Sequence, residues 1–251
     1  MKITFIGTGT CVPTTGRAQP AILIERKGKK MLVDCGDGTV AQLWKLGIKF
    51  WDIDSVFITH YHADHFGGLI FMITALQVAI SNNPRRRSKP LYLYGPKGFA
   101  RVVETLRRIM LKGADMPYRI ITVEMTKPMT VNGIRVSTFR PKHRKESIGY
   151  RFESGGKVVV YTGDSGYTEN LIKASKNADI LIAECTFPNK TKSNIHLNPD
   201  ELGKIATKAS AKMLIPVHIT ELFKGEQLRD QLKAAYKGKI IIPKDGTVIN
   251  I

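Results

Sequence analysis

The positions His60 to His65 pack three imidazoles and a carboxylate into one short run, Thr59-His60-Tyr61-His62-Ala63-Asp64-His65-Phe66-Gly67-Gly68, and half of the six histidines in the chain fall there. Neutral imidazole and carboxylate are the usual ligands of zinc and its borderline neighbours. The run follows an apolar, strand-like segment, Ser55-Val56-Phe57-Ile58. Alternation at a strand end aims His60 and His62 the same way, while the turn that follows presents Asp64 and His65 separately, so the pattern suits two adjacent metals better than one. Further candidate ligands lie downstream, each after a strand-like run: His143 in Arg140-Pro141-Lys142-His143-Arg144, Asp164 in Tyr161-Thr162-Gly163-Asp164-Ser165, and His218 in Ile215-Pro216-Val217-His218-Ile219. Taken singly, a strand-end histidine reads as a hydrogen-bonded residue and a Gly-Asp as a turn. Seven ligand types in order, each flanked by a strand, read as a metal site.

The elements that must position these residues are legible from periodicity. Lys2 to Ile6, Ala21 to Arg26 and Lys30 to Asp34 read as strands of an opening sheet, the last ending in Asp34-Cys35-Gly36-Asp37-Gly38 before a helix from Thr39 to Leu46. After the histidine-rich run come a helix from Gly68 to Ala79, the loop Ser81 to Pro90 with Arg85-Arg86-Arg87, a strand from Leu91 to Tyr94 and a helix from Gly98 to Met110. A strand near Arg119 to Val123 precedes a hairpin at Asn132-Gly133, where the pair supplies the positive φ of a tight turn. The second half continues with strands Arg135 to Phe139, Gly149 to Glu153, Val158 to Thr162, Ile180 to Glu184 and Met213 to Ile219. It adds helices Pro199 to Ala211 and Gly225 to Tyr236, with Lys239 to Ile242 and Thr247 to Ile251 closing the sheet. Asn198 is the expected N-cap of the helix at Pro199, with Asp200 and Glu201 favouring its positive end. No low-complexity linker divides the chain, so residues 1–251 are expected to form a single α/β domain of two similar halves, two sheets face to face with helices outside.

Composition narrows the partners. A chain of 251 residues with 43% hydrophobic residues can bury a sizeable core. Its opening, Met1-Lys2-Ile3-Thr4-Phe5-Ile6-Gly7, runs into a strand with no charged-then-apolar leader, and no stretch is expected to approach the length needed to span a bilayer; the expected location is cytoplasmic. Cys11, Cys35 and Cys185 are odd in number and far apart, which argues against a disulfide framework and a cysteine zinc site; they are expected reduced and partly buried. The 39 basic residues face 21 acidic ones, a formal net charge of +18. Such an excess favours a polyanionic partner, RNA above all, because each phosphate neutralised releases condensed counterions.

The run His60-Tyr61-His62-Ala63-Asp64-His65 resembles the HxHxDH motif of the metallo-β-lactamase superfamily. Membership implies a four-layer αβ/βα sandwich holding two metals: His60, His62 and His143 on one, Asp64, His65 and His218 on the other, Asp164 between them. Within that superfamily the chain is similar to ribonuclease Z, the tRNA 3′-end endonuclease. Gly7-Thr8-Gly9-Thr10 with Pro13, Asp34-Cys35-Gly36-Asp37-Gly38-Thr39, Leu93-Tyr94-Gly95-Pro96-Lys97-Gly98 and Ser147-Ile148-Gly149-Tyr150-Arg151-Phe152 carry the likeness across nearly the whole chain. Ala183-Glu184-Cys185-Thr186-Phe187 and His196 are similar to that family's Glu and His pair, which implies a general acid for the leaving oxygen, with Asp64 handling the nucleophile's proton. The resemblance implies two Zn2+, with Mn2+ or Fe2+ as alternatives, hydroxide bridging the metals as nucleophile, a tRNA precursor as substrate, and a homodimer. A departure accompanies it. Only twenty residues separate His143 from Asp164, where that family carries a protruding arm that grips tRNA. A compact basic face for RNA, with Arg85-Arg86-Arg87 as one candidate, or a smaller phosphodiester or acyl substrate such as a lactone, therefore stays open.

Overall fold

The computed structural model describes residues 1–12, 14–112 and 116–251; Pro13, one of the landmarks just named, lies outside them. The chain divides into two compact units, one made of Met1–Gly7, Thr15–Thr126 and Asp245–Ile251, the other of Thr8–Thr14 and Lys127–Lys244.

In the first unit, β1 (Lys2–Gly7), β2 (Ala21–Arg26) and β3 (Lys29–Val33) form an antiparallel meander. Lys27 and Gly28, both at positive φ, make the tight turn between β2 and β3. Helix α1 (Thr39–Lys45) then crosses to β4 (Ser55–Phe57), the short α2 (Ala63–Phe66) and α3 (Gly68–Asn82) to β5 (Leu91–Gly95), and α4 (Phe99–Met110) to β6 (Ile120–Glu124). From β3 to β6 every pairing is parallel, as helical crossovers require. Val56 and Phe57 of β4 are wholly buried, which explains why this strand reads as an unbroken apolar run.

Helix α3 buries Leu69, Met72, Ile73, Leu76 and Ile80 against Val56, Ile58, Leu91, Leu93 and Phe99, an i, i+3, i+4, i+7 stripe. Each such side chain contributes roughly 1.5–3 kcal/mol by leaving water. Phe71 and Val78 point the other way and are more than half exposed. The expectation that no stretch approaches bilayer length needs correction. Ala63–Asn82 is a 20-residue helical run of mean hydropathy 1.5, long and apolar enough to cross a membrane, but half of its apolar window is buried in this unit's core.

The second unit repeats the pattern in the same order, antiparallel strands first and parallel strands after. β7 (Met129–Val131), β8 (Ile134–Phe139), β9 (Gly149–Ser154) and β10 (Lys157–Tyr161) are antiparallel, and β10, β11 (Ile180–Glu184), β12 (Met213–Val217) and β13 (Lys239–Ile240) are parallel. Asn132 and Gly133 turn the β7–β8 hairpin at φ 52° and 75°, as the sequence predicts. Helix α5 (Glu169–Ala174), not anticipated, bridges β10 to β11; α6 (Pro199–Lys208) and α7 (Gln227–Ala235) follow. The Asn198 side chain accepts from Glu201 N at 3.0 Å while Glu201 Oε2 accepts from Asn198 N, a complete capping box. Helix α6 stops at Lys208, short of the expected Ala211, because Ser210 turns left-handed (φ 51°) and Ala211 N bonds Ala206 O. The last two strand segments do not close one sheet: β13 joins the second unit, and β14 (Val248–Asn250) pairs antiparallel with β1 at the edge of the first.

Candidate metal centre

In the first unit the donor residues gather at the carboxyl ends of adjacent parallel strands, where open α/β sheets place their ligands. Asp34 follows β3 and Thr59 follows β4, so the Val33–Phe57 register sets them side by side. The buried Asp34 carboxylate accepts from Thr59 N at 2.8 Å, from Thr59 Oγ1 at 3.0 Å and from His65 Nδ1 at 2.7 Å. Asp34 itself sits at φ 57°, a left-handed conformation that Asp tolerates and that turns its carboxylate towards the histidines. Thr59 Oγ1, its proton given to Asp34, can accept from His60 Nδ1 at 3.0 Å. With Nδ1 protonated on His60 and His65, the Nε2 lone pairs of both rings are left for a metal. His60 Nε2 and His62 Nδ1 lie 3.1 Å apart, and His65 Nε2 lies 3.6 Å from Asp64 Oδ2.

Close packing of backbone holds this loop. A Cβ on Gly36 would stand 2.1 Å from Asp64 O, and one on Gly68 would stand 2.1 Å from Gly36 O. Only glycine lets Cys35 N reach His65 O (2.8 Å) and Gly68 N reach Cys35 O (2.9 Å). The Cys35 thiol is pushed up to about 12, chiefly by burial, and burial raises the Cys185 thiol as well, so both stay protonated packing groups; Cys11 is exposed.

The second unit builds a matching arrangement. Asp164 follows β10, Glu184 ends β11 and His218 follows β12. Glu184, 1% exposed, accepts from Ser165 N (2.8 Å), Leu197 N (3.1 Å), Thr186 Oγ1 (2.6 Å) and His196 Nδ1 (2.8 Å). Thr186 Oγ1, its proton given to Glu184, can accept from His218 Nδ1 at 2.8 Å. The hydroxyl thereby fixes His218 with Nε2 open, as Thr59 does for His60. His218 is held at φ 55°, a costly conformation for a residue with a Cβ, and its Nε2 comes within 3.5 Å of Asp164 Oδ1. His143 Nε2 lies 3.7 Å from Asp164 Oδ2, and His143 Nδ1 can donate to Ile195 O at 3.2 Å. His196 stacks parallel on His218, ring centres 5.7 Å apart, with its Nδ1 4.0 Å from Asp164 Oδ2. Asp164, His196 and His218 can present their ligand atoms within 4.8 Å of one another.

These spacings test whether a metal fits. Two donors about 2.1 Å from a tetrahedral zinc stand about 3.4 Å apart, and the pairs His60–His62, Asp64–His65, His143–Asp164 and His218–Asp164 all fall between 3.1 and 3.7 Å. The donor set is hard-to-borderline nitrogen and oxygen, suited to zinc. Of the nine expected site residues, Glu184 ends a strand, His60, His62, His143, Asp164 and His218 follow strand ends, Asp64 and His65 lie in α2, and His196 lies on the segment between β11 and α6. Asp34, Thr59 and Thr186, which orient His65, His60 and His218 by hydrogen bonds, were not singled out for that role by sequence. The signal was a threonine or aspartate at the end of a strand beside a histidine-bearing one. Of the Arg85-Arg86-Arg87 loop, Arg87 is buried, giving its guanidinium to the carbonyls of Trp51, Ile53, Lys89 and Pro90, while Arg85 and Arg86 are exposed, Arg86 lying over the Trp51 ring.

Ribonuclease Z of Halorubrum lacusprofundi is 26% identical over 311 aligned positions, covering 100% of this chain and 97% of that protein, so the relative carries segments this chain lacks. The metallo-β-lactamase fold protein YhfI from Bacillus subtilis superposes with a TM-score of 0.88 at 28% identity, covering 99% of this chain and 98% of its own. The short form of human tRNase Z superposes with a TM-score of 0.80 at 25% identity, covering 100% and 99%. The two-sheet α/β architecture is thus the metallo-β-lactamase fold, and the likeness to ribonuclease Z extends over the whole chain. The model of the family described as Anti-Pycsar protein Apyc1 matches residues 1–232, and the chain belongs to that family.

Proposed function

We propose that this protein is a metal-dependent phosphodiester hydrolase of the ribonuclease Z type, cleaving the 3′ extension of tRNA precursors. The observation that carries the reading is the pair formed by His196 and the buried Glu184, 2.8 Å apart beside Asp164. Ligand geometry alone would serve any hydrolase of this fold; an imidazole backed by a carboxylate adds the proton donor that an alkoxide leaving group needs.

By the resemblance, His60, His62 and His143 would hold one metal, Asp64, His65 and His218 the second, with Asp164 shared, and zinc suits the donors. When bound, the metals supply hydroxide at neutral pH and offset charge on the phosphodiester oxygens. The chain does the rest. Asp34 and Glu184 anchor Thr59 and Thr186, which fix the histidine tautomers. Asp64 orients the attacking water and takes up its proton. His196, its Nδ1 proton held by Glu184, delivers a proton from Nε2 to the departing oxygen.

A second reading, a small phosphodiester as substrate, is favoured by a specific observation. The twenty residues between His143 and Asp164 are spent on β9 and β10 and their tight turns, which leaves no arm for gripping tRNA. The deciding experiment offers a metal-reconstituted sample a 3′-extended tRNA precursor, bis(p-nitrophenyl) phosphate and a simple lactone, each with a chelator control. Cutting after the tRNA discriminator supports the first reading, and turnover of the small diester alone supports the second. Turnover of the lactone alone would sink both.

A further inference from the structure

His196 stands on a segment held by side chains rather than by regular structure. Between Glu184 at the end of β11 and Pro199 at the start of α6, the described residues form neither helix nor strand. The two ends of this loop are tied together: Thr186 N bonds Leu197 O at 3.1 Å, and Leu197 N bonds Glu184 Oε2 at 3.1 Å. Its outward limb is pinned to α6 and α7. Asn189 and Asp200 exchange two bonds of 2.8 and 2.9 Å, and Asn189 N bonds Gln231 Oε1 at 3.3 Å. The return limb turns at Ser193, whose Oγ accepts from Ile195 N at 3.3 Å and from His196 N at 3.1 Å. A serine that captures the amides two and three residues on closes a turn through its side chain. That turn presses on the segment just after Asp164, for a Cβ on Gly166 would stand 2.2 Å from Asn194 O.

The peptide between Ile195 and His196 is used at both ends. Its N–H is the one that Ser193 Oγ accepts, and its carbonyl, Ile195 O, lies 3.2 Å from His143 Nδ1 as the acceptor of that ring's proton. A peptide is planar, so a bond that fixes the N–H also fixes the direction of the carbonyl. The same peptide leads into the His196 ring, whose Nδ1 lies 2.8 Å from Glu184 Oε1. We infer that Ser193 is a positioning residue that sets a candidate metal ligand and the candidate proton donor together. Through one peptide plane its hydroxyl holds His143 with Nε2 turned to the metal and His196 with Nε2 free to deliver a proton. The inference rests on the metal and proton-donor roles read above, and Ser193 acts through those two histidines.

The test replaces Ser193 by Ala and by Thr and reads each variant twice. Zinc affinity, measured by competition with a chromogenic chelator, should fall about 10-fold in Ser193→Ala, because the acceptor that orients His143 is no longer held. At saturating zinc, cleavage of a 3′-extended tRNA precursor or, failing that, of an RNA dinucleotide should slow about 10-fold more than turnover of bis(p-nitrophenyl) phosphate, whose leaving group needs no proton. That loss should lie in kcat rather than KM. Ser193→Thr keeps the accepting oxygen and should restore both readings. An unmoved zinc affinity, an equal loss on both substrates, or a Ser193→Thr protein as impaired as Ser193→Ala would each overturn the inference. His196→Ala is the control on the reading beneath it. If that change slows both substrates equally, or if the original protein cuts neither alkoxide-leaving substrate, the proton-donor role falls and the inference with it. If His196→Ala is selective and Ser193→Ala is not, the inference alone falls.

Discussion

At the scale of the residue, the site is governed by where single protons sit. Thr59 and Thr186 each have one hydroxyl proton, and each gives it to a buried carboxylate, which obliges the oxygen to accept from a histidine Nδ1. Thr186→Val keeps the volume but removes both bonds, so His218 loses its tautomeric bias and Glu184 a donor. Zinc affinity measured by competition with a chromogenic chelator should fall by about 10- to 100-fold, the usual cost of losing such an outer partner. An unchanged affinity would mean that the threonine merely packs. His196→Ala addresses the proton donor. It should slow cleavage of an alkoxide-leaving phosphodiester by about 100-fold or more and that of bis(p-nitrophenyl) phosphate far less, since p-nitrophenolate leaves without a proton. Equal losses on both would assign His196 to the ligands instead.

At the scale of the element, strand ends and backbone approach do the positioning. Gly36 sits where the turn after β3 presses on the ligand loop. Gly36→Ala should destabilise the protein by about 1–3 kcal/mol or more in denaturant unfolding, since a backbone oxygen 2.1 Å away cannot yield as a side chain would. An ordinary loss below 1 kcal/mol would show the loop to be loosely held. Asp54, just ahead of β4, ties the strands electrostatically. It accepts from Lys30 N at 2.8 Å and Lys89 Nζ at 2.6 Å, with Lys29 at 3.5 Å. Burial pushes its carboxyl up, but the Lys89 and Lys30 hydrogen bonds and the lysine charges outweigh that and hold it below the ordinary aspartate value. A carboxyl lowered on folding adds stability that is present above its unfolded value, near pH 3.9, and is lost as pH falls through the folded one. The slope of unfolding free energy against pH, followed from about pH 5 to about pH 2, should therefore be shallower in Asp54→Asn than in the parent. Identical slopes would show that Asp54 adds nothing.

At the scale of the whole molecule, metal held by the proposed ligands should be read in global stability. A metal that binds only the folded chain, at a free concentration a hundredfold above its dissociation constant, adds about 2.7 kcal/mol per site. For a chain of this length that raises the melting temperature by roughly 5 to 10 °C, reversed by chelator. A melting temperature indifferent to zinc would argue that these donors do not hold one.

The sequence by itself determined most of the scaffold and the expectation of a metal site. That expectation was legible in the histidine-rich run and the later His and Asp residues because metal ligation demands particular residue types and short spacings leave few alternatives, whereas the Glu184–His196 pair came from the resemblance to ribonuclease Z. Strands such as Ile180–Glu184 and the Asn132-Gly133 hairpin were legible because apolar runs and turn chemistry are local. What the tertiary structure alone decided depends on pairing between segments distant in the chain. The return of Val248–Asn250 to β1, the six-residue α5, the interior placement of Arg87 and the hydroxyl bonds that orient His60 and His218 are of this kind. The last set is the clearest case. A threonine beside a histidine looks the same in sequence whether it faces solvent or a buried carboxylate, and only the register of parallel strands brings Asp34 to Thr59.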